Sequence, residues 1–205
     1  MKKIGLTGGM GAGKSAVASF LSRKGLCCID ADEVSRAMLQ PGCTGWDILK
    51  RDLGPKFFKA DMTIDRPYLR QAIFSDNLLR EKINSLLHPL IRNEIFSEVA
   101  KKSDGSELSQ GGKTSGLVII EVPLLYEAGW EDDFDQVVVV YADHDQCVAR
   151  VMQRDGGSRG EVERSLVAQW PLQDKVERAD HVIDNSRCWS NTSLQVLHLM
   201  KLLSV

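Results

Sequence analysis

One stretch of this sequence decides the fold, and it reads Gly8-Gly9-Met10-Gly11-Ala12-Gly13-Lys14-Ser15. It matches the pattern G-x-x-x-x-G-K-[ST] in full. Residues 3–7 before it predict a short strand, and residues 15–24 after it carry apolar side chains at the spacing of a helix face. Strand, glycine-rich loop and helix in this order predict a phosphate-binding loop. The alternative is a chance glycine turn with a solvated lysine.

Such a loop binds anions through its backbone, because glycines let successive N–H groups turn inward and the following helix adds its positive end. Lys14 would supply a charge for the β- and γ-phosphates of a nucleotide, and the Ser15 hydroxyl would ligate Mg²⁺. The residues expected at ATP are Gly11, Ala12, Gly13, Lys14, Ser15 and Ala16.

Bulk composition favours one ordinary globular domain. The chain has 205 residues, of which 43% are hydrophobic, and its net charge of −2 gives no electrostatic reason for a nucleic-acid or membrane partner. Five cysteines without a C-x-x-C pattern indicate free thiols rather than disulfides or a zinc site. The N-terminus runs straight into the first strand without a signal peptide, so we expect a cytoplasmic location. We also expect a monomer or a weak oligomer.

Four further apolar runs, at residues 26–29, 117–122, 136–141 and 181–184, read as buried strands. With the first strand they predict an α/β fold, a P-loop NTPase-type parallel sheet of about five strands flanked by helices. We expect a core of residues 1–32, 117–149 and 176–205 within a single domain over residues 1–205. An inserted helical substrate-binding subdomain (33–102), a mobile linker (103–116) and a helical lid (150–175) complete it.

Acidic residues end two of these strands. Asp30 and Asp32 follow the second strand, and if the segment is extended they face the same way, at the sheet edge that carries the phosphate loop. Their structural alternatives are a turn residue and a helix N-cap. Glu121 ends the third strand, where a carboxylate could help to hold Mg²⁺.

The insertion is helical throughout, with breaks. Asp65 and Ser75 are expected to cap two of its helices, and Pro89 is expected to interrupt the second. Each cation of the insertion, taken alone, would be an ordinary surface charge. Together, these cations could bind an anionic substrate. They are Arg36, Arg66, Arg70, His88 and Arg92.

The predicted lid is a helix, a glycine turn and a second helix over 160–170. Asp143 and Gln146 predict a capping box for the first helix. Arg150, Arg154 and Arg159 would close onto transferring phosphates, although a solvent-exposed helical hairpin is the alternative. The turn after the last strand, at residues 185–186, could touch the nucleotide base.

The ordered motifs resemble those of the dephospho-CoA kinase family, over residues 1 to about 190. The resemblance rests on six stretches: 4–15, 29–32, 86–92 (Leu-Leu-His-Pro-Leu-Ile-Arg), 122–127 (Val-Pro-Leu-Leu-Tyr-Glu), 153–155 (Gln-Arg-Asp) and 182–186 (Val-Ile-Asp-Asn-Ser). The phosphate loop alone is generic, whereas the set in this order is specific. Ala16, where the family usually has Thr, and Trp170, where smaller residues are common, depart from its pattern.

The resemblance implies Mg²⁺-dependent transfer of the ATP γ-phosphate to the 3′-hydroxyl of the dephospho-CoA ribose. It implies that Asp32 is the base that orients this hydroxyl and that the lid arginines act with Lys14 in catalysis. It implies a CoA-binding region with His88 and Arg92, and Asn185 near the adenine. The rival interpretations are a kinase for nucleoside monophosphates or sugars, and a slowly hydrolysing nucleotide switch.

Overall fold

A computed structural model of the chain describes residues 1–103 and 116–203. Its strands are β1 (Lys2–Gly8), β2 (Cys27–Asp30), β3 (Leu117–Glu121), β4 (Gln136–Tyr141) and β5 (His181–Asp184). They form one sheet in the order β2-β3-β1-β4-β5, and every pairing is parallel. The predicted five-stranded parallel sheet is therefore confirmed, and β1 lies at its centre with the glycine-rich loop at its carboxyl end.

The helices of the described residues alternate with these strands or follow one another between β2 and β3 and between β4 and β5. They are α1 (Lys14–Arg23), α2 (Ala31–Met38), α3 (Thr44–Leu53), α4 (Arg66–Ser75), α5 (Asn77–Ser103), α6 (His144–Asp155), α7 (Arg159–Val167), α8 (Leu172–Arg178) and α9 (Trp189–Leu202). None of them, in residues 1–103 and 116–203, combines the length and the apolar character that a membrane span needs.

The chain divides into two compact units. One comprises Met1–Asp30 and Lys102–Val205 and carries the sheet; the other, Ala31–Lys101, carries α2 to α4 and most of α5. Residues 104–115, which make up most of the predicted linker 103–116, lie outside the described residues.

Each unit has its own apolar core. In the sheet unit, the central strands and α1 bury nearly all of their apolar side chains, because a parallel sheet covered on both faces has no solvent side. The buried residues include Ile4, Leu6, Val17, Leu21, Ile119, Val138 and Val140. In the helical unit the core residues are Trp46, Leu49, Phe57, Ile64, Leu69, Ile83 and Leu87.

Helix boundaries differ from the sequence expectation inside the helical unit. Asp65 caps α4 as predicted, accepting from the Tyr68 N–H. The predicted cap at Ser75 is wrong: Ser75 ends α4, and Asp76 accepts from the Leu79 N–H instead. Pro89 does not interrupt α5, which runs continuously from Asn77 to Ser103. A proline inside a helix costs about 3 kcal/mol, but the leucines on either side pack into one core, and that packing outweighs the cost.

The region after β4 also departs from expectation. Asp143 precedes α6, but its side chain makes no capping bond. The Asp143 N–H and the Gln146 side chain instead donate to Ser186, in the turn after β5. The second helix, predicted over 160–170, ends at Val167, and α8 follows after Pro171. The predicted capping box is therefore wrong, because a tertiary partner competes successfully for the same groups.

A buried ion pair joins α8 to the segment after β3. Lys175, whose side chain is 0% exposed, places its Nζ 2.7 Å from Glu127 Oε1. In the part of the chain that the structure describes, no acceptor meets hydrogen-bond geometry with this ammonium. The Glu127 carboxylate therefore stabilises the charged Lys175 side chain, and because the lysine is buried, removal of that carboxylate would strongly destabilise the fold.

We expect Glu127→Gln to lower the free energy of unfolding by about 3–5 kcal/mol, because it leaves a buried ammonium without its counter-charge. The double variant Glu127→Gln/Lys175→Met should lose less than the two single variants added together. Urea unfolding measures both. Glu131→Gln is the matched control, because its partner Arg178 is exposed and 4.0 Å away; it should lose at most about 1 kcal/mol. Equal losses at Glu127 and Glu131 would contradict the assignment.

Candidate active site

The glycine-rich loop connects β1 to α1. Its backbone passes so close to neighbouring atoms that side chains on several of its glycines would collide with them. Gly11 and Gly13 have φ of 80° and 98°, in the left-handed region that favours glycine. A Cβ on Gly11 would lie 2.5 Å from the Cys147 carbonyl oxygen, and one on Gly13 would collide with the Asn185 side-chain amide. The loop therefore takes this shape because glycine stands at both positions. It leads directly into the N-terminus of α1, where N–H groups are available to an anion.

Lys14 folds back over its own loop. Its side chain is buried, and Nζ donates to the carbonyl oxygens of Gly8 at 3.1 Å and Gly9 at 3.0 Å. The ammonium is therefore already held beside the N–H groups that would receive phosphate oxygens. A positive charge in this position raises the affinity of the loop for an anion.

Ser15 and Glu121 meet at the end of β3. The Ser15 hydroxyl donates to Glu121 Oε1 at 2.8 Å, and Glu121 is 7% exposed. This pair joins two residues that the sequence assigned independently to a metal. A hydroxyl and a carboxylate fit Mg²⁺, which takes oxygen ligands and usually uses one or two carboxylates together with water and substrate phosphates. Within the described ranges no group of three or more His, Cys, Asp or Glu side chains is arranged around a metal position.

Asn185 supports the loop from the other side. It is buried, its amide nitrogen donates to the Ala12 carbonyl at 2.7 Å, and its amide oxygen accepts from the Thr192 hydroxyl at 2.9 Å. Both ends of the side chain are thus engaged in fixing the loop. The sequence placed Asn185 near the nucleotide base but gave no reason to expect Thr192, because that contact depends on how α9 packs.

Arg150 is the predicted lid arginine that contacts the loop. Its guanidinium donates to the Asn185 carbonyl at 2.9 Å and to the Gly11 carbonyl at 3.4 Å. It also bonds the Gln146 side chain one turn earlier on α6. A cation on α6 is therefore held against the loop.

Arg154 and Arg159 have carboxylate partners instead. Arg154 pairs with Asp155 through two contacts of 2.6 and 2.7 Å, and Arg159 pairs with Asp145 and Glu163. Both arginines are exposed, and exposed ion pairs contribute about 0–1 kcal/mol. Because these ion pairs contribute so little, either arginine can give up its carboxylate partner and bind a phosphate at small cost.

The remaining candidates lie in the helical unit. Asp32 is in the first turn of α2, where the helix dipole favours a carboxylate. The expectation of an extended segment through Asp30 and Asp32 is therefore wrong, because α2 begins at Ala31. Arg36 lies one turn further, with its NH2 3.9 Å from Asp32 Oδ2. Arg70 is exposed on α4, and the pair His88 and Arg92 is one turn apart on α5.

Comparisons with known proteins point to one family. A sequence model of a family described as dephospho-CoA kinase matches residues 2–190. A dephospho-CoA kinase of Geobacillus kaustophilus is 36% identical over 198 residues, which cover 97% of this chain and 94% of that protein. The crystal structure of TT1252 from Thermus thermophilus has a TM-score of 0.82 at 30% identity and covers 98% of this chain and 97% of its own.

A more distant solved structure shows the same fold. Dephospho-CoA kinase from Campylobacter jejuni has a TM-score of 0.69 at 22% identity, over 100% of this chain and 98% of its own. At that identity the likeness concerns the arrangement of the backbone, not the roles of individual side chains.

Burial lowers the pKa of His88 below its ordinary value. As the pH falls below about 6.5, the unfolded chain takes up a proton that the native histidine resists, and the free energy of unfolding decreases. We expect His88→Gln to reduce the loss of stability between about pH 7.5 and about pH 5.5. Urea unfolding at both values measures this loss. A loss unchanged by His88→Gln would contradict the prediction.

Proposed function

The chain belongs to the dephospho-CoA kinase family, and from that premise we propose that it transfers the γ-phosphoryl group of ATP to the 3′-hydroxyl of the dephospho-CoA ribose, giving coenzyme A and ADP. The contact that carries the proposal is the Ser15–Glu121 pair beside the complete phosphate loop. It supports the proposal because a hydroxyl and a carboxylate are oxygen ligands that suit Mg²⁺, and phosphoryl transfer from a nucleotide uses Mg²⁺.

On this proposal the loop amides of residues 11–16 and Lys14 bind the β- and γ-phosphates of ATP. The helix dipole of α1 and the lysine charge both favour the anion there. Ser15 and Glu121 would hold Mg²⁺, which when bound neutralises phosphate charge. Asn185 and Arg150 keep the loop carbonyls engaged while its N–H groups face the nucleotide, and Asn185 also borders the adenine.

Asp32 would orient the acceptor. Its carboxylate accepts the hydrogen bond of the 3′-hydroxyl and takes the proton as the oxygen bonds to phosphorus and the bond to ADP breaks. The family motif and its position in the first turn of α2 support this role. Arg36, Arg70, His88 and Arg92 would bind the anionic groups of dephospho-CoA, because guanidinium matches phosphate geometry.

Arg150, Arg154 and Arg159 would stabilise charge on the transferring phosphoryl group. Arg150 already contacts the loop, whereas the other two would exchange surface carboxylates for phosphate oxygens. Catalysis on this account is positioning and electrostatics, as phosphoryl transfer generally requires.

The partners are then two small molecules, ATP and dephospho-CoA, and the site of action is the cytoplasm. A net charge of −2 offers no excess of positive charge to a nucleic acid or a membrane. Recovery of the protein in the membrane pellet after cell fractionation would contradict this.

The first test measures ADP release from ATP and Mg²⁺ with and without dephospho-CoA, with adenosine monophosphate and gluconate as control acceptors. We expect stimulation by dephospho-CoA alone, loss of turnover with EDTA, and a product phosphorylated at the ribose 3′-position. Stimulation by another acceptor would indicate a different small-molecule kinase. Release that ignores every acceptor would favour a nucleotide switch and overturn the proposal.

We expect Asp32→Asn to lower kcat by about 10²–10⁴-fold while the affinity for ATP stays within about twofold, because the amide cannot take the hydroxyl proton. Glu33→Gln is the matched control, since it removes one carboxylate from the same helical turn. If Asp32→Asn turns over near the wild-type rate, or if Glu33→Gln falls equally, Asp32 does not have the assigned role.

A further inference from the structure

Gln169 contacts the phosphate loop from a segment that the proposed mechanism does not use. It lies between α7 and α8, and its side-chain Oε1 accepts from the Met10 N–H at 3.1 Å. The two residues are 159 positions apart in sequence. The other side chains described around the loop, those of Lys14, Asn185 and Arg150, donate to its carbonyl oxygens. Gln169 therefore acts on the loop in the opposite sense, because it accepts from an amide.

The position of Gln169 is fixed by its neighbour. The Trp170 N–H donates to Glu127 Oε1 at 2.9 Å, the same oxygen that lies 2.7 Å from the buried Lys175 ammonium. The Trp170 ring stacks on Tyr126 with centroids 6.1 Å apart, and the Arg178 guanidinium lies 4.8 Å from the centre of that ring. A backbone bond, a stacked ring and a buried ion pair thus hold the residue next to Gln169.

Met10 is held at its other end as well. Its side chain packs against the cluster of Val148, Val151 and Val162 from α6 and α7. With the side chain packed and the N–H bonded to Gln169, the peptide before Met10 has little freedom to rotate. The next residues, Gly11 to Gly13, have backbones that would otherwise be among the most flexible in the chain.

We propose that Gln169 is a positioning residue of the phosphate loop, which holds the Met10 peptide so that the following amides face the nucleotide. The inference rests on the proposed function only in assuming that the loop binds a nucleotide. A loop with several glycines loses much conformational entropy when it orders around an anion, and a contact that orders it beforehand raises its affinity. Gln169 would therefore strengthen nucleotide binding without touching the nucleotide.

A cavity of about 470 Å³ lies beside this contact and offers a second glutamine for a matched control. Gly9, Gln169 and Gln173 all line it. Leucine is close to glutamine in size but cannot accept a hydrogen bond, so Gln169→Leu removes the contact and keeps most of the volume. Gln173→Leu makes the same chemical change in the same cavity away from Met10. Gln169→Glu keeps an acceptor for the Met10 N–H.

The experiment measures two quantities on each full-length variant: hydrogen exchange of the Met10 amide without nucleotide, and the Kd for ADP with Mg²⁺. For Gln169→Leu we expect faster exchange and a Kd raised about fivefold, the effect of losing one ordinary hydrogen bond. The KM for dephospho-CoA should stay within about twofold, because the acceptor does not use this contact. Gln173→Leu should match the wild type in both, and Gln169→Glu should restore slow exchange.

Three results would overturn the inference: wild-type ADP affinity in Gln169→Leu, an equal loss in Gln173→Leu, or fast Met10 exchange in Gln169→Glu. These outcomes are separable from the fate of the proposed function, since ADP binding needs no acceptor. If the wild type does not phosphorylate dephospho-CoA but Gln169→Leu weakens ADP binding, the proposed acceptor is refuted and the positioning role is kept. If the wild type phosphorylates dephospho-CoA but Gln169→Leu binds ADP as tightly as the wild type, the proposed function is kept and the positioning role is refuted.

Discussion

The left-handed backbone at Gly11 and Gly13 is the constraint on which the active site depends. This backbone brings the loop so close to the Cys147 carbonyl and the Asn185 amide that no side chain fits at either glycine. Close approach then creates polar demands, because loop carbonyls near other elements need donors. The structure meets them with side chains from three places: Lys14 at the start of α1, Arg150 on α6, and Asn185 after β5. The sheet orders these elements, because they follow β1, β4 and β5, so the precision of the loop comes from β1 and the two strands on one side of it.

Much of this was predictable, because it depends on local pattern. The loop motif fixed the strand before it and the helix after it, and continuous apolar runs marked the other strands to within one or two residues. Glu121 was noticed as an acidic residue at the end of an apolar strand, and the structure brings it to Ser15, while its role at a metal stays a prediction. Two of the failures share a cause: tertiary partners outweighed local preference. Ser186 takes the groups that would have capped α6, and packing on both sides of Pro89 keeps α5 continuous.

The contacts that sequence reasoning missed are polar contacts between different elements of the fold. Thr192 on Asn185 and Gln169 on Met10 involve residue types that are usually solvated, with no periodicity or motif to mark them. The buried pair of Glu127 and Lys175 is similar, since both residues look like ordinary surface charges in the sequence. By contrast, Arg154 and Arg159 were noticed for their charge and yet pair with carboxylates at the surface. Charge indicates what a side chain can bind, whereas burial decides how firmly it is held.

The folded-back position of Lys14 has a consequence for selectivity among anions. Its ammonium already donates to two carbonyl oxygens, those of Gly8 and Gly9, so an arriving anion competes with them for the three N–H donors of the lysine. A chloride or a single carboxylate is too small to engage the lysine and several loop amides at once. A polyphosphate can do both. The internal bonds of Lys14 therefore favour polyphosphates over small anions, because only the larger anion gains the amide contacts in addition to the lysine.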